Sequence, residues 1–350
     1  MSSENRVNLA VVGSGPAGLA AALGLAGLGQ PCRLIGPAPD PNDPRTAALF
    51  TGSIAMLRHL GVWDACRAAS APIRAIRIVD DTGGLLRAPE TLFTAAEAGE
   101  DAVADGVLGY NVPNAALTRA LVEKVRAEPR LEWTAARVAG IAIDADTARM
   151  MLDSGATYRP GLCARLVAAA DGRGSLCRAA AGIGTRTWTH DQAALVTSFT
   201  HGRPHHDIST ELHRRGGPLT VVPLPGRASS LVWVDRPAPI AALAALDDAG
   251  FRASLEGRLQ GLLGSLGEIA PRRAFQLSGM TATRFAASRV ALVGDEEELA
   301  NAERDYRTAL ADQGADEVTR LQRLESVLKL ELSIADLRRQ IAAAEAAGSQ

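Results

Sequence analysis

Gly13, Gly15 and Gly18 stand in the spacing G-x-G-x-x-G, with Ser14, Pro16 and Ala17 between them. Those residue types at that spacing suit the holding of a pyrophosphate. Gly13 permits a tight turn, Gly15 lets the backbone come close to phosphate oxygens, and Gly18 lets a helix lie closely on a strand. The free N–H groups at a helix start then face the negative charge. The chemistry implied is the binding of a dinucleotide, not acid–base work.

For the glycines to act in this way, a strand must precede them and a helix must follow. Val7, Leu9, Val11 and Val12 form a β-branched, apolar run, as in a buried parallel strand. Ala17 to Leu28 is rich in helix formers, and Cys32 to Ile35 reads as a second strand. A nucleotide-binding unit of this type places an acid on the ribose about 20 residues after the last glycine. Gly36 stands there instead, and the next acids are Asp40 and Asp43 in the loop Pro37 to Pro44.

Composition narrows the remaining classes. The 350 residues are 47% hydrophobic and 22% charged, which fits a globular chain with a large core and two domains. With 37 basic against 39 acidic residues and 4% aromatics, there is no sign of a nucleic-acid surface. Cys32, Cys66, Cys163 and Cys177 lie far apart and read as reduced thiols of a cytoplasmic protein. The uncharged stretch between Arg6 and Arg33 is interrupted by glycines and a proline. It reads as the βαβ unit, not as a membrane span or targeting segment. His201, His205, His206 and His213 have no accompanying Cys or carboxylate pattern, so they read as an exposed loop and not as a metal site.

Further along, Asp43-Pro44-Arg45-Thr46-Ala47-Ala48-Leu49 leads into a helical segment ending Leu60-Gly61-Val62-Trp63. Pro89 to Asp105 is acidic and without period, and reads as a loop. Gly109-Tyr110 precedes Asn114, which fits the N-cap of a helix over 115–127. Asp144 to Thr147 is a turn signal between strands. An apolar run, Leu166 to Ala170, enters the turn Asp171-Gly172, and Ser175 can cap the helix carrying Arg178. Short β-rich runs recur over 194–199, 219–224 and 229–235, the pattern of an antiparallel sheet. Leu243, Leu246, Leu255, Leu259 and Leu262 predict a helix over 241–266. A last apolar strand from Val290 ends in Gly294-Asp295.

In this order the motifs resemble the flavin-dependent aromatic hydroxylases, and among them the ubiquinone-biosynthesis hydroxylases. The resemblance implies FAD as cofactor and NAD(P)H as co-substrate. It places Arg45 beside the flavin nucleotide, Asn114 towards the cofactor, Asp171 and Gly172 over the pyrophosphate, and Gly294 and Asp295 at the ribityl chain. It also implies hydroxylation of an aromatic ring with O2, on a small aromatic substrate such as a prenylated ubiquinone precursor. Such a substrate would bring the protein to a membrane surface, although no basic amphipathic anchor demands it. The flavin carries that chemistry, so no side chain is assigned as catalytic.

The expected architecture is α/β. A Rossmann-type FAD-binding domain (5–75, 106–185 and 270–295) is interleaved with an antiparallel substrate domain (76–105 and 186–269). A helical tail follows over 296–350. The resemblance runs over about 6–295. After it the family's Ala-Ala-His and Gly-Gln-Gly segment gives way to Glu296-Glu297-Glu298, and Leu321, Leu324, Leu328 and Leu332 suggest an amphipathic, partner-binding helix. Two other functions fit the residues: a catalytically impaired FAD-binding protein acting through that tail, and an NAD(P)-dependent oxidoreductase.

Overall fold

A computed structural model describes residues 6–84, 87–95, 106–153 and 158–294. The chain opens with β1 (Arg6–Val12), α1 (Pro16–Gly27) and β2 (Cys32–Ile35). Next come β3 (Thr46–Phe50), α2 (Thr51–His59), α3 (Trp63–Arg67) and β4 (Ala71–Ile73). They are followed by β5 (Ala75–Asp80), β6 (Thr91–Thr94), β7 (Gly109–Pro113) and α4 (Asn114–Ala127). Strands β8 (Leu131–Thr134), β9 (Arg137–Ile143), β10 (Ala148–Asp153) and β11 (Tyr158–Ala169) lead to α5 (Leu176–Ala180). Then come β12 (Thr185–His201), β13 (Ile208–His213), β14 (Leu219–Leu224) and β15 (Ala228–Asp235). Helices α6 (Pro237–Ala245) and α7 (Asp248–Leu259) precede β16 (Leu266–Ile269), β17 (Arg273–Ala282), β18 (Ala286–Ala287) and β19 (Val290–Leu292).

The first sheet has the order β18-β19-β11-β1-β2-β8, with β10 and β9 joined to β11. Strands β19, β11, β1, β2 and β8 are parallel to one another. Strand β1 is apolar on both faces because both are covered. Ala10 and Val12 enter a core with Met150, Leu162, Val167 and Cys177, while α1 packs on the sheet and against α4. All four cysteines are buried and unpaired, and burial pushes the Cys32 thiol up to about 12.

The second sheet has the order β16-β12-β15-β14-β13-β5-β6, with β17 along β12. It is antiparallel except where β13 meets β5. Leu195, Leu219, Leu231 and Trp233 pack on one face against Ile240, Phe251 and Leu255 of α6 and α7. A small sheet, β3-β7-β4, stands beside it.

Several expectations change here. The helix read over 241–266 is two helices and a strand. Leu246 is extended (ψ 150°), and Asp247 caps α7 by accepting from Gly250 N at 2.8 Å. A capping acid starts a new helix more effectively than it continues an old one. The acidic stretch read as loop over 89–105 contains β6, whose residues 91–94 pair with β5. Of the 270–295 piece, β17 runs along β12 in the second sheet, and only β18 and β19 join the first. His201 is not on an exposed loop. It is 5% exposed at the end of β12, bonded to Arg203 O (2.8 Å) and Ser229 Oγ (3.0 Å), and burial lowers its pKa. The tail over 296–350 lies outside the described residues, and no described helix is long and apolar enough to cross a membrane.

Candidate cofactor site

In a parallel sheet all carboxyl ends point the same way, and ligands bind beyond them. Register puts Val12 of β1 beside Ala169 of β11, and Ala169 beside Leu292 of β19. The chain continuing from each strand is tied to its neighbour. Gly13 N donates to Ile35 O (2.8 Å), Ala170 N to Val12 O (2.7 Å) and Val293 N to Ala169 O (2.8 Å). Motifs separated by more than a hundred residues thus leave the sheet on one edge. Gly294 (φ +76°) is the last described residue, and Asp295 lies outside the described residues.

The glycine loop fills the middle of that edge. Gly13 has φ +113°, and a Cβ there would stand 2.0 Å from Ala170 O. Gly18 is equally tight: its Cβ would stand 2.0 Å from Gly13 O. Gly15 is different, since a Cβ there would meet nothing within 4 Å. Gly15, Pro16 and Ala17 are exposed, Pro16 occupies the first turn of α1, and no side chain caps the helix. Its first N–H groups therefore point into open space with the positive end of the helix dipole. Open space at Gly15 beside tight packing at Gly13 and Gly18 fits a pyrophosphate, and so fits FAD.

Ser14 does not present its hydroxyl to this space. The side chain is buried, and Oγ donates to Pro37 O. That bond explains the missing acid. A Cβ on Gly36 would stand 2.5 Å from Ser14 Oγ and 2.8 Å from Ser14 N, while Trp133 Nε1 holds Gly36 O at 2.9 Å. The end of β2 has no room for a side chain. Gly36→Asp is therefore expected to destabilise the protein by about 2–4 kcal/mol, read as a lowered melting temperature, and not to supply the absent ribose contact.

Arg45 and Asn114, 69 residues apart, meet through Asp43, an acid of the Asp-Pro-Arg motif to which the sequence alone gives no role. Asp43 accepts from Arg45 N (3.0 Å), Nε (2.9 Å) and Nη2 (2.8 Å), and from Asn114 Nδ2 (3.2 Å). Asn114 N also donates to Arg45 O at 2.9 Å. Asn114 is the first helical residue of α4 and not its N-cap, because Pro113 ends β7 in an extended conformation (ψ 128°). The Asp-Pro-Arg spacing was the available clue, since an Asp readily bonds the backbone two residues on.

The Arg45 guanidinium, with the Asn114 amide, holds the Asp43 carboxyl down to about 2. The sign follows from linkage. Unfolded Asp titrates near ~3.9, so this contribution is complete above pH ~4 and is lost as pH falls towards 2. Asp43→Asn is expected to flatten the acid limb of the stability curve between those values, measured by urea denaturation across pH.

Asp171 is engaged at α5. It accepts from Ser175 Oγ (2.5 Å) and Cys177 N (3.2 Å), and Ser175 Oγ accepts from Arg178 N (2.9 Å), the expected cap. Gly172 takes φ +74° at the turn, and Arg173 fastens the turn to Ser278 O (3.0 Å) and Oγ (2.9 Å) on β17. Asp171 thus fixes the loop that leaves β11, so its main-chain position is built by its own carboxylate.

Comparison with known proteins agrees with this geometry. A family model described as FAD binding domain matches residues 6–296. Ubiquinone hydroxylase UbiL of Rhodospirillum rubrum is 37% identical over 254 residues, covering 72% of this chain and 56% of that protein. The 3-demethoxyubiquinol 3-hydroxylase of Escherichia coli is 32% identical over 299 residues, covering 82% and 72%. The chain thus spans little more than half the length of the first of these relatives. The crystal structure of p-nitrophenol 4-monooxygenase PnpA from Pseudomonas putida DLL-E4 shares the fold, with a TM-score of 0.66 at 20% identity over 91% of this chain and 84% of that one. The matched span takes in every described element, and the chain belongs to the FAD binding domain family of flavin-dependent hydroxylases, with ubiquinone hydroxylases among its relatives.

Proposed function

We propose that this protein is an FAD-dependent monooxygenase that uses NAD(P)H and O2 to hydroxylate an aromatic ring of a ubiquinone precursor. The observation that carries the proposal is the convergence of the open Gly15 loop, the uncapped start of α1 and the ends of β11 and β19 on one edge. The named activities of the relatives support the choice of reaction.

Bound flavin supplies electron transfer from NAD(P)H and the activation of oxygen. The chain supplies position. Ser14, Gly15, Ala17 and Gly18 would hold the pyrophosphate through main-chain N–H groups and the helix dipole, while Pro16, which has no N–H, would set the first turn of α1. Arg45, held by Asp43 and facing Asn114, would supply positive charge near the nucleotide. Asp171 and Gly172 would keep the β11 loop closed over it, and Gly294 with Asp295 would take the ribityl chain. The first sheet would form the FAD domain, and the second would wall the substrate and exclude water from the reacting ring. A prenylated substrate would be met at a membrane surface.

The test is the visible spectrum of the purified full chain with FAD, followed by NADH or NADPH without oxygen, then air and an alkylphenol. A bound flavin that bleaches, reoxidises and yields a product heavier by one oxygen atom is expected. Bound flavin that stays oxidised with both nicotinamides would overturn the monooxygenase reading in favour of a flavin-binding partner protein. Nicotinamide binding with no flavin would favour a plain NAD(P)-dependent oxidoreductase.

A further inference from the structure

Asn111, in the middle of β7, is 1% exposed. Its Nδ2 donates to Pro223 O at 2.9 Å and to Ser230 Oγ at 3.0 Å. A carbonyl oxygen only accepts, so the bond to Pro223 settles which end of the amide is nitrogen. The other end, Oδ1, is buried and meets no donor among the described residues. Buried acceptors in folded proteins almost always have a partner, and an orphan calls for an explanation.

The surroundings indicate what would complete it. Side chains alternate along β7, and Tyr110 packs edge-on against Trp63 at 4.7 Å between ring centres. Asn111 therefore points the opposite way, to the second sheet, where Ser230 also contacts Thr46 Oγ1 (3.2 Å) from β3. The two strands flanking Asn111 differ. On β4 its register partner is Ala71, which is buried. On β3 it is Ala48, which is exposed, and Phe50 on the same face is 47% exposed. The orphan acceptor is itself buried, with the buried Ala71 on one flank. On the other it borders an apolar and aromatic surface on the strand that directly follows Arg45.

We infer that Asn111 is a specificity-determining residue: its Oδ1 accepts the hydroxyl hydrogen of a phenolic substrate whose ring lies on Ala48 and Phe50. This rests on the monooxygenase reading. A phenol supplies both halves of the match, a flat apolar ring and a single donor. The corresponding aryl methyl ether, larger by one methyl group on the same oxygen, brings only lone pairs to Oδ1 and leaves it unpaired. Sites built to bond a substrate hydroxyl discriminate strongly against analogues lacking one.

The experiment uses the FAD-loaded full chain with 2-allylphenol and 2-allylanisole, each titrated by its perturbation of the flavin spectrum. The unaltered protein is expected to bind the phenol roughly 10- to 100-fold more tightly than the ether, the effect of one buried, unsatisfied acceptor. Asn111→Leu is expected to bring the two affinities together, while Ser230→Ala, which leaves Oδ1 in place, keeps them apart. Equal affinities in the unaltered protein would overturn the inference without any variant. So would discrimination that survives in Asn111→Leu. Flavin reduction by NAD(P)H is recorded on the same samples. Reduction without phenol discrimination sinks only this inference, whereas phenol discrimination without reduction upholds it as a binding site and sinks the monooxygenase reading.

Discussion

Gly15→Ala is expected to yield a folded protein that no longer holds its flavin. The residue has φ −71° and ψ 175°, which any L-residue adopts, and a methyl group there meets no protein atom within 4 Å. Alanine in place of glycine at a helix N-cap costs about 1 kcal/mol at most. The apoprotein should therefore melt within a few degrees of the unaltered one. The methyl group instead occupies the space that a phosphate must approach for the N–H groups of α1 to reach it. Loss of that approach is expected to weaken FAD binding by about a hundredfold or more, equivalent to about 2.7 kcal/mol. Flavin fluorescence titration of the refolded apoprotein measures this directly. Full flavin occupancy in Gly15→Ala at micromolar FAD would mean that the pyrophosphate lies elsewhere.

Gly13→Ala, only two residues away, is expected to act on the fold itself. Its φ of +113° is costly for any residue with a Cβ. The added atom would stand 2.0 Å from Ala170 O, 2.4 Å from Ala170 C and 3.0 Å from Asp171 N, all main-chain atoms. They cannot swing aside, because Ala170 N is bonded to Val12 O at 2.7 Å and the Asp171 carboxylate is locked to α5. Separating β1 from β11 at their ends is expected to cost about 4 kcal/mol or more, a large part of the 5–15 kcal/mol that typically holds a protein folded. Saturating FAD at about 100 times its Kd returns only about 2.7 kcal/mol, so added cofactor should not rescue the variant. A melting temperature lowered by about 5 °C or more, or loss of soluble protein, is the expected result. A melt within about 2 °C of the unaltered protein would refute the packing of Gly13 on Ala170. The two substitutions carry the same chemical change, and the structure assigns one to the ligand and the other to the fold.

Much of this site was legible in the residues because its rules are local. The run from Val7 to Val12, the G-x-G-x-x-G spacing and the helix formers after Ala17 predict β1, the loop and α1 within a few residues. The Ser175 cap and the turn at Asp144 are likewise short-range hydrogen-bond patterns, and both occur. The ordering of three Gly-containing strand ends, seen through a family resemblance, predicted that they serve one ligand.

What the residues alone did not carry are contacts between distant segments. Asp43 joins Arg45 to Asn114 across 71 positions, and Asn111 reaches Ser230 across 119. The absence of an acid at Gly36 looked like a gap in the motif. It is a packing requirement, imposed by the Ser14 main chain and hydroxyl. His201 read as exposed because histidine in a polar stretch carries no local sign of burial, and only the pairing of β12 with β15 brings Ser229 to it. Strand neighbourhood and register decide which side chains meet. They are set by the summed packing of whole sheets and not by any short run of residues. The sequence by itself determined the opening βαβ unit and its glycine loop and, through the family resemblance, the class of ligand. The tertiary structure decided which polar groups are occupied, which glycines have room, and which buried acceptor, Asn111 Oδ1, is left unpaired.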